Sequence, residues 1–291
     1  MHKAGFVTIL GNPNVGKSTL MNELMGERLS IITQKAQTTR HRILGVISEE
    51  NYQIVFSDTP GVLKPHHNLH EAMMSFVHNS LEDADVILYM VDSSKEELKD
   101  ERFLEKIQSL KTPIILLINK VDLIEQEAVN LLIDHWSNKL PKSLIIPISA
   151  LKKFNISKIK NEILNLMPES PAYFPKDTMT DKSERFIVSE IVREKILERY
   201  KQEIPYSVEV VVNSFKDKQK VIVIDATIYV ERESQKVILL GKKGVAIKAV
   251  GTSARKTMQN FFKKKIFLGL FVKVAKDWRS KKAQLKKFGY N

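Results

Sequence analysis

Short, almost wholly apolar runs recur through the first half of the chain, at 5–10 (GFVTIL), 52–58 (YQIVFSD), 85–92 (DVILYMVD), 113–119 (PIILLIN) and 144–149 (LIIPIS). Their length and β-branched content predict strands, and the lack of polar alternation predicts a sheet buried on both faces. Between them lie stretches with helical periodicity at 17–26, 69–81, 100–110 and 128–140. Strand and helix in alternation predict an α/β domain, doubly wound around a mostly parallel sheet.

Past residue 180 the pattern changes. A helix is predicted over 183–202, with Ile187, Ile191, Ile196 and Leu197 on its apolar side. Strands follow at 206–215 and 220–230, then helical segments on either side of 241–244, a strand at 265–275 and a basic terminal helix. This is an α+β order. Between the halves, 167–177 (MPESPAYFPKD) holds three prolines in eight residues, which cannot continue a helix and favour extended backbone. The predicted division is a first domain over 1–167, a linker over 168–180 and a second domain over 181–291.

Charge sharpens that division. The 291-residue chain has net charge +12, yet residues 1–175 hold 19 basic and 21 acidic side chains, whereas 176–291 hold 27 and 13. From Lys236 onward there are 16 basic residues and one acidic residue, Asp277. An excess confined to one domain points to a polyanionic partner for it, either nucleic acid or an anionic membrane surface. There are no cysteines, which excludes disulfides and thiol catalysis and suits a reducing, cytoplasmic setting. No run of about 18 apolar residues occurs, so no spanning helix is predicted.

The candidate chemistry of the first domain sits where its strands end. Gly11-Asn12-Pro13-Asn14-Val15-Gly16-Lys17-Ser18, followed by Thr19, fits G-x-x-x-x-G-K-[ST] between a strand and a helix. Its glycines allow backbone N–H groups to converge on phosphate, and the helix N-terminus adds its dipole. Lys17 is expected on the β- and γ-phosphates and Ser18 on Mg2+. Asp58-Thr59-Pro60-Gly61 ends the second strand, where a Mg2+-linked aspartate belongs. Asn119-Lys120-Val121-Asp122 ends a later one, and a carboxylate there accepts two hydrogen bonds that guanine offers and adenine does not. The backbone at Ser149-Ala150 is placed to reach guanine O6. Four motifs in order on the ligand edge of an α/β sheet are the set found in P-loop GTPases. His66, His67 and His70 are also close in sequence, but they have no fixed carboxylate or cysteine companion for a metal.

A narrower resemblance covers nearly the whole chain. GNPNVGKSTLMNELMG, KAQTTRHRI, DTPG, NKVD, PISA, PYSVEV and GKKG occur here in the order of the Era family of bacterial ribosome-assembly GTPases, and the terminal W…L…FGY is similar too. The resemblance implies a GTPase domain followed by a type II KH domain. It makes Gln37, Thr38, Thr39, Arg40 and His41 switch I, with Thr39 a Mg2+ ligand and Thr38 its close alternative. Asp58 to Gly61, with Val62, becomes switch II, Asp58 meeting the metal through water. Ras-type GTPases place a glutamine after DxxG to orient water. Val62 has no donor or acceptor, so slow intrinsic hydrolysis is expected. In related GTPases an asparagine at the position of Asn14 helps bind K+.

Gly241-Lys242-Lys243-Gly244 has the wrong spacing for a second nucleotide loop. It fits the GXXG loop of a KH domain, which clamps the backbone of single-stranded nucleic acid, and Lys248 on the next helix extends that track. Arg255, Lys256 and Lys263 to Lys265 are expected to add attraction without sequence choice. The family resemblance implies a partner near the 3′ end of the small-subunit (16S) ribosomal RNA, a role in 30S assembly, and a monomer. Docking of the basic half on the cytoplasmic face of a membrane is the alternative, although Leu285 and Phe288 give the terminal helix only a modest apolar face.

Overall fold

The structure, a computed structural model, describes residues 2–94 and 101–290. Two compact units emerge, Met1–His66 with Met73–Asp181, and His67–Ala72 with Lys182–Asn291. The first contains β1 (Lys3–Gly11), α1 (Lys17–Met25), β2 (Ile43–Ser48), β3 (Tyr52–Asp58), most of α2 (Asn68–Glu82), β4 (Val86–Asp92), α3 (Glu101–Ser109), β5 (Ile114–Asn119), α4 (Gln126–Lys139), β6 (Leu144–Pro147) and α5 (Ile156–Leu166). The helical stretch expected from 100 is present as α3, with Asp100 outside the described residues.

The sheet order is β2-β3-β1-β4-β5-β6, parallel throughout except for β2 at the edge. Val7 and Ile9 of β1, Leu88 of β4 and Leu117 of β5 are buried in one core with Leu20 and Met21 of α1. Continuous apolar strands thus do what their pattern requires. The register brings Asp58 beside Ile9, Gly11 beside Met90 and Asn119 beside Asp92. The motif residues therefore share one edge. Strand β2 and helix α5 were not anticipated from the pattern.

The proline-rich segment is part of the first unit. Gln53, fully buried on β3, accepts hydrogen bonds from the backbone of Tyr173 and Phe174 at 2.8 and 2.9 Å. Its amide donates to Phe174 O and Ser48 Oγ. Further along, Thr180 Oγ1 donates to Leu44 O and Asp181 accepts from Leu44 N. One amide side chain thus pairs with three backbone groups of Tyr173 and Phe174, which lie between Pro171 and Pro175.

The second unit contains α6 (Glu184–Arg199), α7 (Ile204–Ser207), β7 (Glu209–Asp217), β8 (Val221–Val230), α8 (Glu233–Leu240), α9 (Val245–Phe262), β9 (Lys265–Val274) and α10 (Lys282–Lys287). Ser183 caps α6, its side chain accepting from Phe186 N. The three-stranded sheet runs β7-β8-β9, antiparallel and then parallel. Ile222, Ile224 and Ile228 of β8 pack with Val188 and Ile191 of α6 and Val250 and Met258 of α9. The C-terminal segment is held by polar contacts as well: Trp278 Nε1 donates to Ser207 O at 2.9 Å and Tyr290 Oη to Glu209 Oε2 at 2.8 Å. Within α6, burial works against the charge on Arg193, but the adjoining Glu190 carboxylate outweighs it and pushes the guanidinium pKa up.

Replacing Gln53 by Leu should destabilise the first unit by roughly 2 kcal/mol, because the backbone groups at 173–174 lose their partner on this buried side chain. Urea unfolding measures the loss, and limited proteolysis should show earlier cleavage within 168–181. Unchanged cleavage would mean that other contacts hold the segment.

Candidate functional site

Strand β1 ends at Gly11 and helix α1 begins at Lys17, so the loop between them must reverse tightly against the sheet edge. Gly16 has φ 106°, and a Cβ there would lie 2.3 Å from Asn119 Nδ2. A Cβ on Gly11 would lie 2.3 Å from Met90 O. Asn14 takes φ 65°, a left-handed conformation that asparagine tolerates. Val15 anchors the loop in the core. Lys17 folds over the loop, donating to Gly11 O and Asn12 O at 3.0 and 2.9 Å. Burial pulls its pKa down to about 8, against the attraction of Asp58.

Three oxygen-bearing side chains meet beside it. Ser18 Oγ donates to Asp58 Oδ2 at 2.8 Å and lies 2.9 Å from Thr39 Oγ1. They come from three separated segments, the start of α1, residues 37–41 and the end of β3. Burial raises the Asp58 pKa, with the Ser18 hydrogen bond and the Lys17 charge opposing. Asp58 Oδ1 is buried without a hydrogen-bond partner. A hard-oxygen cluster with one unsatisfied carboxylate oxygen fits Mg2+. Thr38 is oriented elsewhere: its hydroxyl donates to Lys35 O at 2.6 Å and lies 2.7 Å from Thr33 Oγ1.

A cavity of about 560 Å³ opens above this cluster, lined by Pro13, Asn14, Gly16 to Thr19, Gln37 to Thr39, Gly61, Asn119, Lys120, Asp122, Ser149 and Ala150. Its volume suits a nucleotide-sized ligand. Asn119, only 2% exposed, does not face it as a free reader: Nδ2 donates to Val15 O and Oδ1 accepts from Ala150 N. It braces the first loop against the 149–150 loop. Lys120 Nζ donates to Asn14 O and to Asp92 Oδ2, at 2.9 and 2.6 Å. Burial opposes ionisation of Asp92, yet its bonds to Lys120 and Ser94 hold its pKa below the usual carboxylate value. Asp92 ends β4 and fixes Lys120; the run DVILYMVD displayed it, but no motif singled it out. Asp122 is exposed at the rim.

The other motif residues form the surround. Thr59 Oγ1 donates to Ile9 O, tying β3 to β1. Pro60 and Gly61 pass so near the first loop that a Cβ on Gly61 would lie 2.8 Å from Pro13 N. Val62 is buried and its N–H donates to Gly11 O at 3.2 Å. Val121 N donates to Ile148 O, joining the two base-side loops. Asn14 Nδ2 donates to Gln34 O. Arg40 and His41 do not line the cavity; Arg40 is buried, and the His41 ring lies 5.7 Å from that of Phe76. Ile31 to Gln34, Leu123 and Leu151 line it without having been singled out from sequence.

In the second unit Gly241 and Gly244 bracket a tight turn between α8 and α9, with φ 70° and 76°, and Lys243 between them is also left-handed at 51°. Lys242, Lys243 and Lys248 are exposed. Lys248 and Lys256 share a shallow depression with Val245 at the start of α9.

The chain matches the family model for a 50S ribosome-binding GTPase over residues 6–120 and that for a KH domain over 203–279. It is 45% identical to GTPase Era of Alkaliphilus metalliredigens (strain QYMF), over 99% of each chain. With GTPase Era of Staphylococcus haemolyticus (strain JCSC1435) the identity is 42%, over 99% of this chain and 97% of that one. A crystal structure of Era in complex with MgGDPNP and nucleotides 1506–1542 of 16S ribosomal RNA superposes with TM-score 0.96 at 41% identity, covering 100% of this chain and 99% of the other. The crystal structure of a substituted Aquifex aeolicus Era bound to GDP.AlF4- gives 0.95 at 41%, covering 99% of both.

In nucleotide-free protein Lys17 should leave a pH signature. Its pKa is about 8 when folded against 10.5 unperturbed, so between those values the unfolded chain holds more protons. Stability from this group therefore rises with pH across that window, by on the order of 3 kcal/mol. Denaturant titrations should show the slope in the wild type and its loss in Lys17→Met. Equal slopes would assign it to another group.

Proposed function

This chain belongs to the Era family of GTPases, and on that premise we propose that it binds GTP with Mg2+, hydrolyses it slowly, and holds single-stranded RNA near the 3′ end of 16S ribosomal RNA during 30S assembly. The observation that carries the nucleotide half is the meeting of Ser18, Thr39 and Asp58 within hydrogen-bond distance. The chemistry that Mg2+ would supply when bound is positive charge against the phosphates. Ser18 and Thr39 would hold the ion directly and Asp58 through water. Lys17 would leave the Gly11 and Asn12 carbonyls for phosphate oxygens, regaining full charge beside an anion. Asp122 would read the guanine edge, and the Ala150 N–H, engaged by Asn119 here, marks the loop that approaches O6.

Slow turnover follows from Val62. Its side chain is buried and apolar, and its N–H is committed to Gly11 O, so this residue cannot orient water. K+ held near Asn14 would supply part of the positioning that Val62 cannot, and faster turnover in K+ than in Na+ would show it. The RNA half rests on GKKG: two left-handed glycines allow close approach, and two exposed lysines meet phosphate. An Era that superposes over 100% of this chain and 99% of its own has been crystallised with 16S nucleotides 1506–1542, which motivates the choice of RNA.

Substitutions at neighbouring threonines test the site. Thr39→Ala should weaken binding of a GTP analogue in Mg2+ about tenfold, the scale of one lost ligand contact, and leave GDP affinity nearly unchanged. Thr38→Ala should have the smaller effect. The reverse order would move the metal contact to Thr38. For the RNA half, crosslinking to cellular RNA in the GTP-analogue and GDP states should place Lys242 and Lys243 at one site near the 16S 3′ end. Crosslinks scattered over unrelated RNAs would overturn that assignment.

A further inference from the structure

The sheet of the second unit buries one face against helices, and part of the other stays open. Ile266 of β9 and Ile222, Ile224 and Ile228 of β8 are buried. The alternate residues point away from them. On β9 these are Lys265, Phe267, Gly269, Phe271 and Lys273. Phe267 is 62% and Phe271 55% exposed, and both lysines are exposed. The register sets Asp225 of β8 beside Gly269, between the two rings. Toward the other end Tyr229, paired with Lys273, packs on Phe288 at 5.1 Å. The C-terminal segment thus covers that end of the face and leaves the two phenylalanines uncovered.

We propose that this face is a base-stacking platform for a second stretch of single-stranded RNA, beyond the nucleotides clamped at GKKG; the proposal rests on the RNA-binding reading of this unit. Two exposed aromatic rings on a sheet offer flat π-faces to bases of any sequence. They lie four residues apart on one strand, about 13 Å, so each takes its own base. Lysines flank the pair on the same strand and supply phosphate contacts at both ends. Gly269 makes room for the Asp225 carboxylate between the rings: a Cβ there would lie 2.5 Å from Asp225 Oδ1. The Asp225 carboxylate at this point repels phosphate and accepts hydrogen bonds from base amino groups, so bases face the sheet and the backbone runs past the lysines. A protein-docking patch is less favoured, since interface centres are depleted in lysine.

The test uses the full-length chain and fluorescence anisotropy with two unstructured RNAs. One has about four nucleotides, enough for GKKG alone. The other has about twelve, enough to reach the platform as well. The double variant Phe267→Leu/Phe271→Leu keeps an apolar surface and removes the rings. It should bind the longer RNA at least about tenfold more weakly and the shorter RNA as the wild type does. Phe271→Trp should keep full affinity, and the longer RNA alone should change the emission of the new indole. Should the leucine variant fail to fold, the tryptophan signal decides: no change with the longer RNA overturns the platform. Equal affinity of wild type and leucine variant for the longer RNA overturns it too, as does equal loss for both RNAs. Dependence of anionic-vesicle binding on these two rings, with RNA affinity unchanged, would assign the face to lipid. A wild type that binds neither RNA would remove the RNA reading of the whole unit; short-RNA binding abolished by Lys242→Ala/Lys243→Ala, with no platform effect, would remove only the present proposal.

Discussion

A carboxylate with no solvent exposure is costly to keep ionised unless something in the fold or a bound cation stabilises it. Asp58 is such a group, and the nucleotide edge of the first unit is arranged around it. Ser18 satisfies one oxygen, Lys17 stands near enough to attract it, and Thr39 adjoins the Ser18 hydroxyl. These side chains come from segments distant in sequence, so their meeting depends on the parallel register that sets β3 beside β1. Both Lys17 and Asp58 are pushed toward their neutral forms by burial, which makes the bare site the least comfortable state of this region. A polyanion together with a divalent cation would relieve both at once.

The base-side half relies instead on neutral amides. Asn119 commits its carbonyl and amide to two backbone groups, one in each flanking loop, and a side chain any larger than hydrogen at Gly16 would collide with it. The first loop and the 149–150 loop are therefore set relative to each other by one asparagine, and Asp122 is left exposed at the rim.

Much of this was legible in the residue pattern. Uninterrupted apolar strands announced the parallel sheet, and motif spacing announced that the motif residues gather at one of its edges. What escaped notice did so for physical reasons. Strand β2 (Ile43–Ser48) carries Gly45, which interrupts the apolar run that marked the other strands. The choice between Thr38 and Thr39 is a matter of which way adjacent hydroxyls point, and adjacency cannot reveal that. The role of Gln53 depends on partners some 120 positions away. On β9 the inner and outer residues are both largely apolar, so the two-residue period that normally separates faces was muted, and the exposed phenylalanines were invisible until the sheet was assembled.

Strand β9 is also the free edge of its sheet, ten residues long and mostly apolar. Such an edge invites another chain to add itself as a further strand. Here the strand begins just after Lys263 and Lys264, opens on Lys265 and carries Lys273 near its end. Two copies brought edge to edge would juxtapose those cations in either orientation. The same lysines that suit a polyanion thereby act as a guard against self-assembly, and the guard is electrostatic. It weakens as ionic strength rises, so the colloidal behaviour of this protein is tied to the same charge that would attract a polyanion.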